Sequence, residues 1–215
     1  GLPDLYDTRY EDPVTDSAGI GKWGLMGHGA LGWDGTGPVG FSAWSLEQLQ
    51  WLGRANSRLD TVWQNRKGAE VRDLFDGGRV LKIALPAPPW EKEEDPRFGN
   101  ALTPKQGYLL LEARRRQAHY YNRGIPSEGV LVWHIRPDAN SNADENKRLV
   151  DLVCADGLFA DGGYGTGRAG AHTGGDNLDF WSHDAAYTRT WGGNLGDATD
   201  PFDGVRRRGF GLTDT

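Results

Sequence analysis

The chain has 215 residues, with 24 Lys and Arg against 30 Asp and Glu and a formal net charge of −6 at pH 7. That balance argues against a general nucleic-acid binder, which presents a basic face. No apolar run approaches the roughly 20 residues of a membrane span, and the single cysteine, Cys154, excludes an internal disulfide framework.

The 32 glycines are about twice the usual share of roughly 7 %. Glycine-rich turns between short apolar runs suit a mainly β fold. Residues 1–36 are rich in Asp and Gly, lack periodicity and read as loop and turn. The spacing predicts one helix over 38–52. Pro38 suits a first helical position, Phe41, Trp44, Leu49 and Leu52 share one face of a 3.6-residue wheel, and Gly53 is a stop. From about residue 58 the signal turns to strands: Arg79–Leu85, Gly107–Arg114, Gly129–Ile135 and Leu149–Val153 are short, apolar and bounded by turns. Pro86–Gln106, with five prolines and the charged run Glu91–Asp95, reads as a long exposed loop, and Gly157–Gly175 as an irregular one. The expected organisation is a turn-and-helix unit over 1–55 followed by a β-sandwich over 56–215.

Short motifs sharpen this division. Gly1-Leu2-Pro3-Asp4 opens the chain, and Lys22-Trp23-Gly24-Leu25-Met26-Gly27-His28-Gly29 holds its one methionine. Tyr108-Leu109-Leu110-Leu111-Glu112-Ala113-Arg114 and Gly129-Val130-Leu131-Val132-Trp133-His134-Ile135 follow. Ala155-Asp156-Gly157 and Gly196-Asp197-Ala198-Thr199-Asp200-Pro201-Phe202-Asp203-Gly204 come last. In this order, together with Pro38–Leu52, they resemble the immune-inhibitor-A family of secreted bacterial zinc metallopeptidases, which are metzincin-like. The resemblance covers nearly the whole chain and makes residues 1–55 the C-terminal part of a zinc-peptidase catalytic domain, followed by the β-sandwich over 56–215. The first segment resembles the end of the extended zinc motif H-E-x-x-H-x-x-G-x-x-[H or D], and the segment around Met26 resembles the Met-turn that lies under the zinc. The motif H-E-x-x-H itself is absent: His28, His119, His134, His172 and His183 include no pair four residues apart. Two ligands and the glutamate base are therefore expected from a missing upstream segment, and the chain alone is expected to be inactive.

The resemblance makes Asp4 the third zinc ligand, a hard anionic oxygen beside two imidazoles. Read from local sequence alone, Pro3-Asp4 equally starts an ordinary turn, and Asp7 competes as a residue that holds the loop by accepting backbone N–H bonds. Met26 would pack beneath the metal as a soft, adaptable side chain. His28 stands where several metzincins place a tyrosine, so it is a candidate donor to a developing oxyanion; the alternative is a half-exposed loop histidine. Glu112 and His134 interrupt apolar strands and need buried partners such as Arg114 or Arg136. Asp197, Asp200 and Asp203, with Asp176 and Asp179, are spaced so that an irregular loop could supply calcium with oxygens, although acidic loops are commonly only solvated.

The resemblance thus implies zinc-dependent hydrolysis of peptide bonds by a metal-activated water, a protein or peptide substrate, calcium as a stabilising ion, and secretion. Two other readings stand beside it. One is a non-catalytic β-sandwich that binds glycan or matrix through Trp90, Trp181 and Trp191. The other is a degenerate family member that kept the fold and lost catalysis.

Overall fold

Strands form where leucine and β-branched residues alternate between two buried faces. In the computed structural model these runs become β1 (Leu59–Val62), β2 (Val80–Ala84), β3 (Tyr108–Arg114), β4 (Gly129–Ile135) and β5 (Val150–Val153). The structure describes residues 1–8, 19–31, 35, 37–62, 68–85, 107–143, 147–155, 196, 200–205 and 208. The expected loops at 86–106 and 157–175, with Trp90, Trp181 and Trp191, lie outside these.

The five strands form one sheet in the order β1-β2-β3-β4-β5. β1 runs parallel to β2, and the other neighbours are antiparallel. The β3–β4 ladder is the longest, from Tyr108 opposite Ile135 to Arg114 opposite Gly129. The fold is mainly β; the described residues hold one short helix, α1 (Ala43–Gln48), and single 3-10 turns.

The helix is shorter than the pattern over 38–52 predicts, and the hydrogen bonds show why. Gly40 N donates to Tyr121 O and Gly40 O accepts from Leu25 N, so the chain before residue 42 is extended and pinned on both sides. Ser42 caps the first turn, its hydroxyl accepting from Ser45 N. At the other end Gln50 turns to a φ of 58°, which a continuing helix does not allow.

Alternation along the strands gives the sheet two apolar faces. On one, Leu110, Leu131, Trp133, Ile135, Val150 and Leu152 pack with Trp44, Leu46 and Leu52 of the helical region. The same cluster takes in Leu5, Ile20, Trp23 and Val39, so residues on both sides of position 55 share one core. Each fully buried leucine contributes about 1.5–3 kcal/mol over its exposed state. On the other face Leu109, Val132 and Val153 form a second cluster, with Ile83, Leu85, Leu111 and Phe202 against it.

Two polar groups fasten α1 to the sheet. Glu112 is buried and accepts from Ala43 N at 3.0 Å, Trp133 Nε1 at 2.7 Å and Arg114 Nε at 2.9 Å. Arg114 in turn donates to Phe41 O and Asn122 Oδ1, and Asn122 Nδ2 donates to the buried Asp73. The strand glutamate is therefore a structural anchor paired with Arg114, as its apolar setting requires. Nearer the other end of α1, Glu47 accepts from Lys82 Nζ at 2.7 Å and Tyr108 Oη at 2.8 Å. Burial, followed by the Glu47 charge, holds the Tyr108 phenol well above its ordinary pKa, which keeps it a donor.

Candidate functional site

Leu5 is the pivot of the N-terminal segment. Its N–H donates to Met26 O at 2.8 Å, and its carbonyl accepts from Ile20 N at 3.0 Å and Asn142 Nδ2 at 3.2 Å. Asn142 also exchanges hydrogen bonds with Val150, its Nδ2 donating to Val150 O at 2.6 Å and its Oδ1 accepting from Val150 N at 2.9 Å. The backbone beside Asp4 is thus tied to both the Met26 turn and β5. The Leu5 side chain is fully buried, whereas the Asp4 side chain next to it is exposed. Asp7 is buried instead.

The Met26 turn is built largely from backbone. Gly27 N and Gly29 N both donate to Gly24 O, and His28 N donates to Gly21 O at 2.8 Å. Met26 is half-buried and packs against the main core. His28 is half-buried with its ring centroid 4.6 Å from that of Tyr6. Burial, with the Lys22 charge adding to it, lowers its pKa to about 4. At neutral pH His28 is therefore a neutral imidazole with one N–H to give.

Trp23 links this turn to the far end of the sequence. Its Nε1 donates to Asp200 Oδ2 at 2.7 Å, and both groups are buried. Gly196 lies over the pair with φ +111°, where a Cβ would meet both Trp23 Nε1 and Asp200 Oδ2. Asp200 O accepts from Ala155 N, and Phe202 bridges to Val130 by two backbone hydrogen bonds. The sequence makes Asp200 a candidate calcium ligand or part of a solvated acidic loop; the structure gives its carboxylate a buried hydrogen-bond donor in Trp23. Asp203 Oδ1 accepts from Val205 N within its own turn. Asp197, Asp176 and Asp179 lie outside the described residues.

Among the described residues no three His, Cys, Asp or Glu side chains gather as a metal-binding group. His134 is half-buried on β4 opposite Asp151; burial, then the Arg136 charge, lowers its pKa. Asn142 lies in the polar run Asn140–Asn146, which by its spacing reads as a weak cation loop and not as a clamp on Leu5 and Val150; a Tyr after Leu, as at Tyr6, has no diagnostic spacing. Among the described residues no helix is long and apolar enough to cross a membrane.

Comparison with protein families, with curated proteins and with solved structures finds no match to this chain.

Proposed function

We propose that this chain is the C-terminal part of a secreted zinc-dependent endopeptidase resembling immune inhibitor A. The reading rests first on the ordered motifs. The structural observation that carries it is the hydrogen bond from Leu5 N to Met26 O, which seats the Gly1-Leu2-Pro3-Asp4 segment on the turn around Met26. A third metal ligand beside a Met-turn requires this juxtaposition.

The residues present fit one quarter of a zinc site. Asp4 offers an exposed carboxylate on an anchored backbone, and a tetrahedral catalytic centre takes three protein ligands and keeps one open position. The two remaining ligands and the glutamate base belong to an H-E-x-x-H helix in the parent protein. The metal's chemistry there is to acidify a water for attack on a peptide carbonyl.

This chain's own residues orient and support. Leu5 and Asn142 fix the backbone that presents Asp4. Met26 packs against the main core and its carbonyl accepts from Leu5 N; the resemblance puts its side chain beneath the metal. His28, neutral at pH 7 and steadied by Tyr6, supplies one N–H toward the developing oxyanion. The second apolar face, with Leu109, Val132 and Val153 buried, supports a second layer and so a β-sandwich after the catalytic unit. Secretion follows from the resemblance.

The test is casein hydrolysis by the parent protein and by the isolated 215-residue chain, each with and without a chelator. Chelator-sensitive turnover by the parent alone is expected. Such turnover by the isolated chain would contradict the reading. The residues encoded before Gly1 separate the rivals: an intact H-E-x-x-H supports the enzyme, a disrupted one the degenerate member, and an unrelated sequence the binding module.

A further inference from the structure

Residues 200–203 close one end of the sheet and touch both of its faces. Asp200 O accepts from Ala155 N at 2.9 Å, shortly after β5, and Phe202 exchanges two backbone hydrogen bonds with Val130 at the start of β4. Phe202 packs with Leu109, Val132 and Val153 on the second apolar face. The Asp200 carboxylate goes the other way, to Trp23 in the main core. Asp200 and Pro201 are both buried. The segment is therefore a strap, fixed to the sheet by backbone and to the N-terminal turn by a side chain.

Trp23 is placed to pass that constraint on. Its side chain is fully buried, and its backbone N–H donates to Ile20 O. Only Gly24 and Leu25 separate it from Met26. Gly24 O accepts from Gly27 N and Gly29 N, and Leu25 N donates to Gly40 O at 3.1 Å. Met26 O then accepts from Leu5 N, the residue after Asp4. A hydrogen bond from an indole N–H to a carboxylate is charge-assisted and stronger than a neutral one. Both groups are buried, so neither can turn to water without moving the turn or the strap, and separating them would leave polar groups to be satisfied anew at a cost.

We infer that Asp200 is a positioning residue: through Trp23 it sets the Met26 turn, and with it the backbone beside Asp4. The consequence for zinc rests on the function proposed above; the coupling between strap and turn does not.

Amide hydrogen exchange of the 215-residue chain tests the coupling. Asp200→Ala should speed exchange at Leu5 and His28 at least about tenfold, the effect of losing a charge-assisted hydrogen bond, with a much smaller change at the amides of the β3–β4 ladder. Trp23→Phe should do the same, and the double variant should add little to either single change. If Asp200→Ala does not fold, Asp200→Asn takes its place; it keeps an oxygen for the indole and should give a smaller rise confined to the same amides. Unchanged exchange at Leu5 and His28, an equal rise in the β3–β4 ladder, or additive effects of the two changes would overturn the inference. In the parent protein Asp200→Ala should weaken zinc binding about three- to tenfold, less than the roughly 10–100-fold of a residue that touches a ligand directly. Unchanged zinc affinity would overturn the positioning role. A wild-type parent that binds no zinc would overturn the zinc reading instead, and the exchange result alone would then decide the coupling.

Discussion

The sheet and the turn region around Met26 are held in opposite ways. In the sheet, side chains do the holding: interdigitated Leu, Val, Ile and Trp on two faces, and the Glu112–Arg114 pair pinning α1 to β3 and β4. In the turn region, backbone meets backbone. Gly19 has φ +59°, and a Cβ there would overlap the Leu5 carbonyl; a Cβ at Gly27 would overlap the carbonyl of Gly21. The same core touches both regions, yet one should tolerate changes of apolar shape and the other should tolerate no added atom. Where close backbone approach seats the Asp4 segment, glycine is the only residue that fits.

The largest expected effect tests the sheet side. Glu112→Ala leaves Arg114 as a buried cation and Ala43 N and Trp133 Nε1 without their acceptor. It should cost about 3–5 kcal/mol, read from urea unfolding. The double variant Glu112→Leu/Arg114→Leu should cost less than the sum of its single changes, since the pair acts as a unit. Strict additivity would show that the two side chains work independently.

Next comes the turn side. Gly19→Ala should lose at least about 1–2 kcal/mol from the left-handed backbone alone, with the overlap on Leu5 O adding to it. A volume-conserving change in the sheet, Leu131→Met, should cost under about 1.5 kcal/mol. If the two variants shift the unfolding midpoint equally, the contrast between side-chain and backbone packing fails.

The smallest effect is in pH. Burial lowers the pKa values of His28, to about 4, and of His134 below the ordinary 6.5. The unfolded chain then binds protons that the native state refuses, so their contribution is full above pH 6.5 and is lost as pH falls toward the folded values. The drop in thermal midpoint from neutral to about pH 5 should be smaller in His28→Gln than in the wild type. An unchanged drop would mean that His28 titrates normally.

What could be read from sequence follows the range of the interactions. β2 to β5 announced themselves, because apolar alternation bounded by turns is local; β4 spans Gly129–Ile135 as the pattern predicts. β1 carries only Leu-Asp-Thr-Val and pairs parallel to β2 across an intervening connection, so neither its bounds nor its partner was legible. Glu112 and Arg114 are two apart in a strand and therefore share a face, which made their pairing foreseeable. Trp23 and Asp200 lie 177 positions apart, and no spacing rule connects them, so this hydrogen bond was not legible in the acidic loop. The pattern over 38–52 overran the helix because Gly40's two backbone hydrogen bonds come from segments distant in sequence.

The central claim is that the Asp4 segment, seated on the Met26 turn, completes a zinc site. Zinc content by elemental analysis of the parent protein, for wild type, Asp4→Ala and Asp7→Ala, tests it most directly. The account predicts that Asp4→Ala loses most of its zinc while Asp7→Ala, changed at a buried loop carboxylate, keeps it and loses stability instead. Wild-type zinc content in Asp4→Ala would contradict the account and place the third ligand elsewhere.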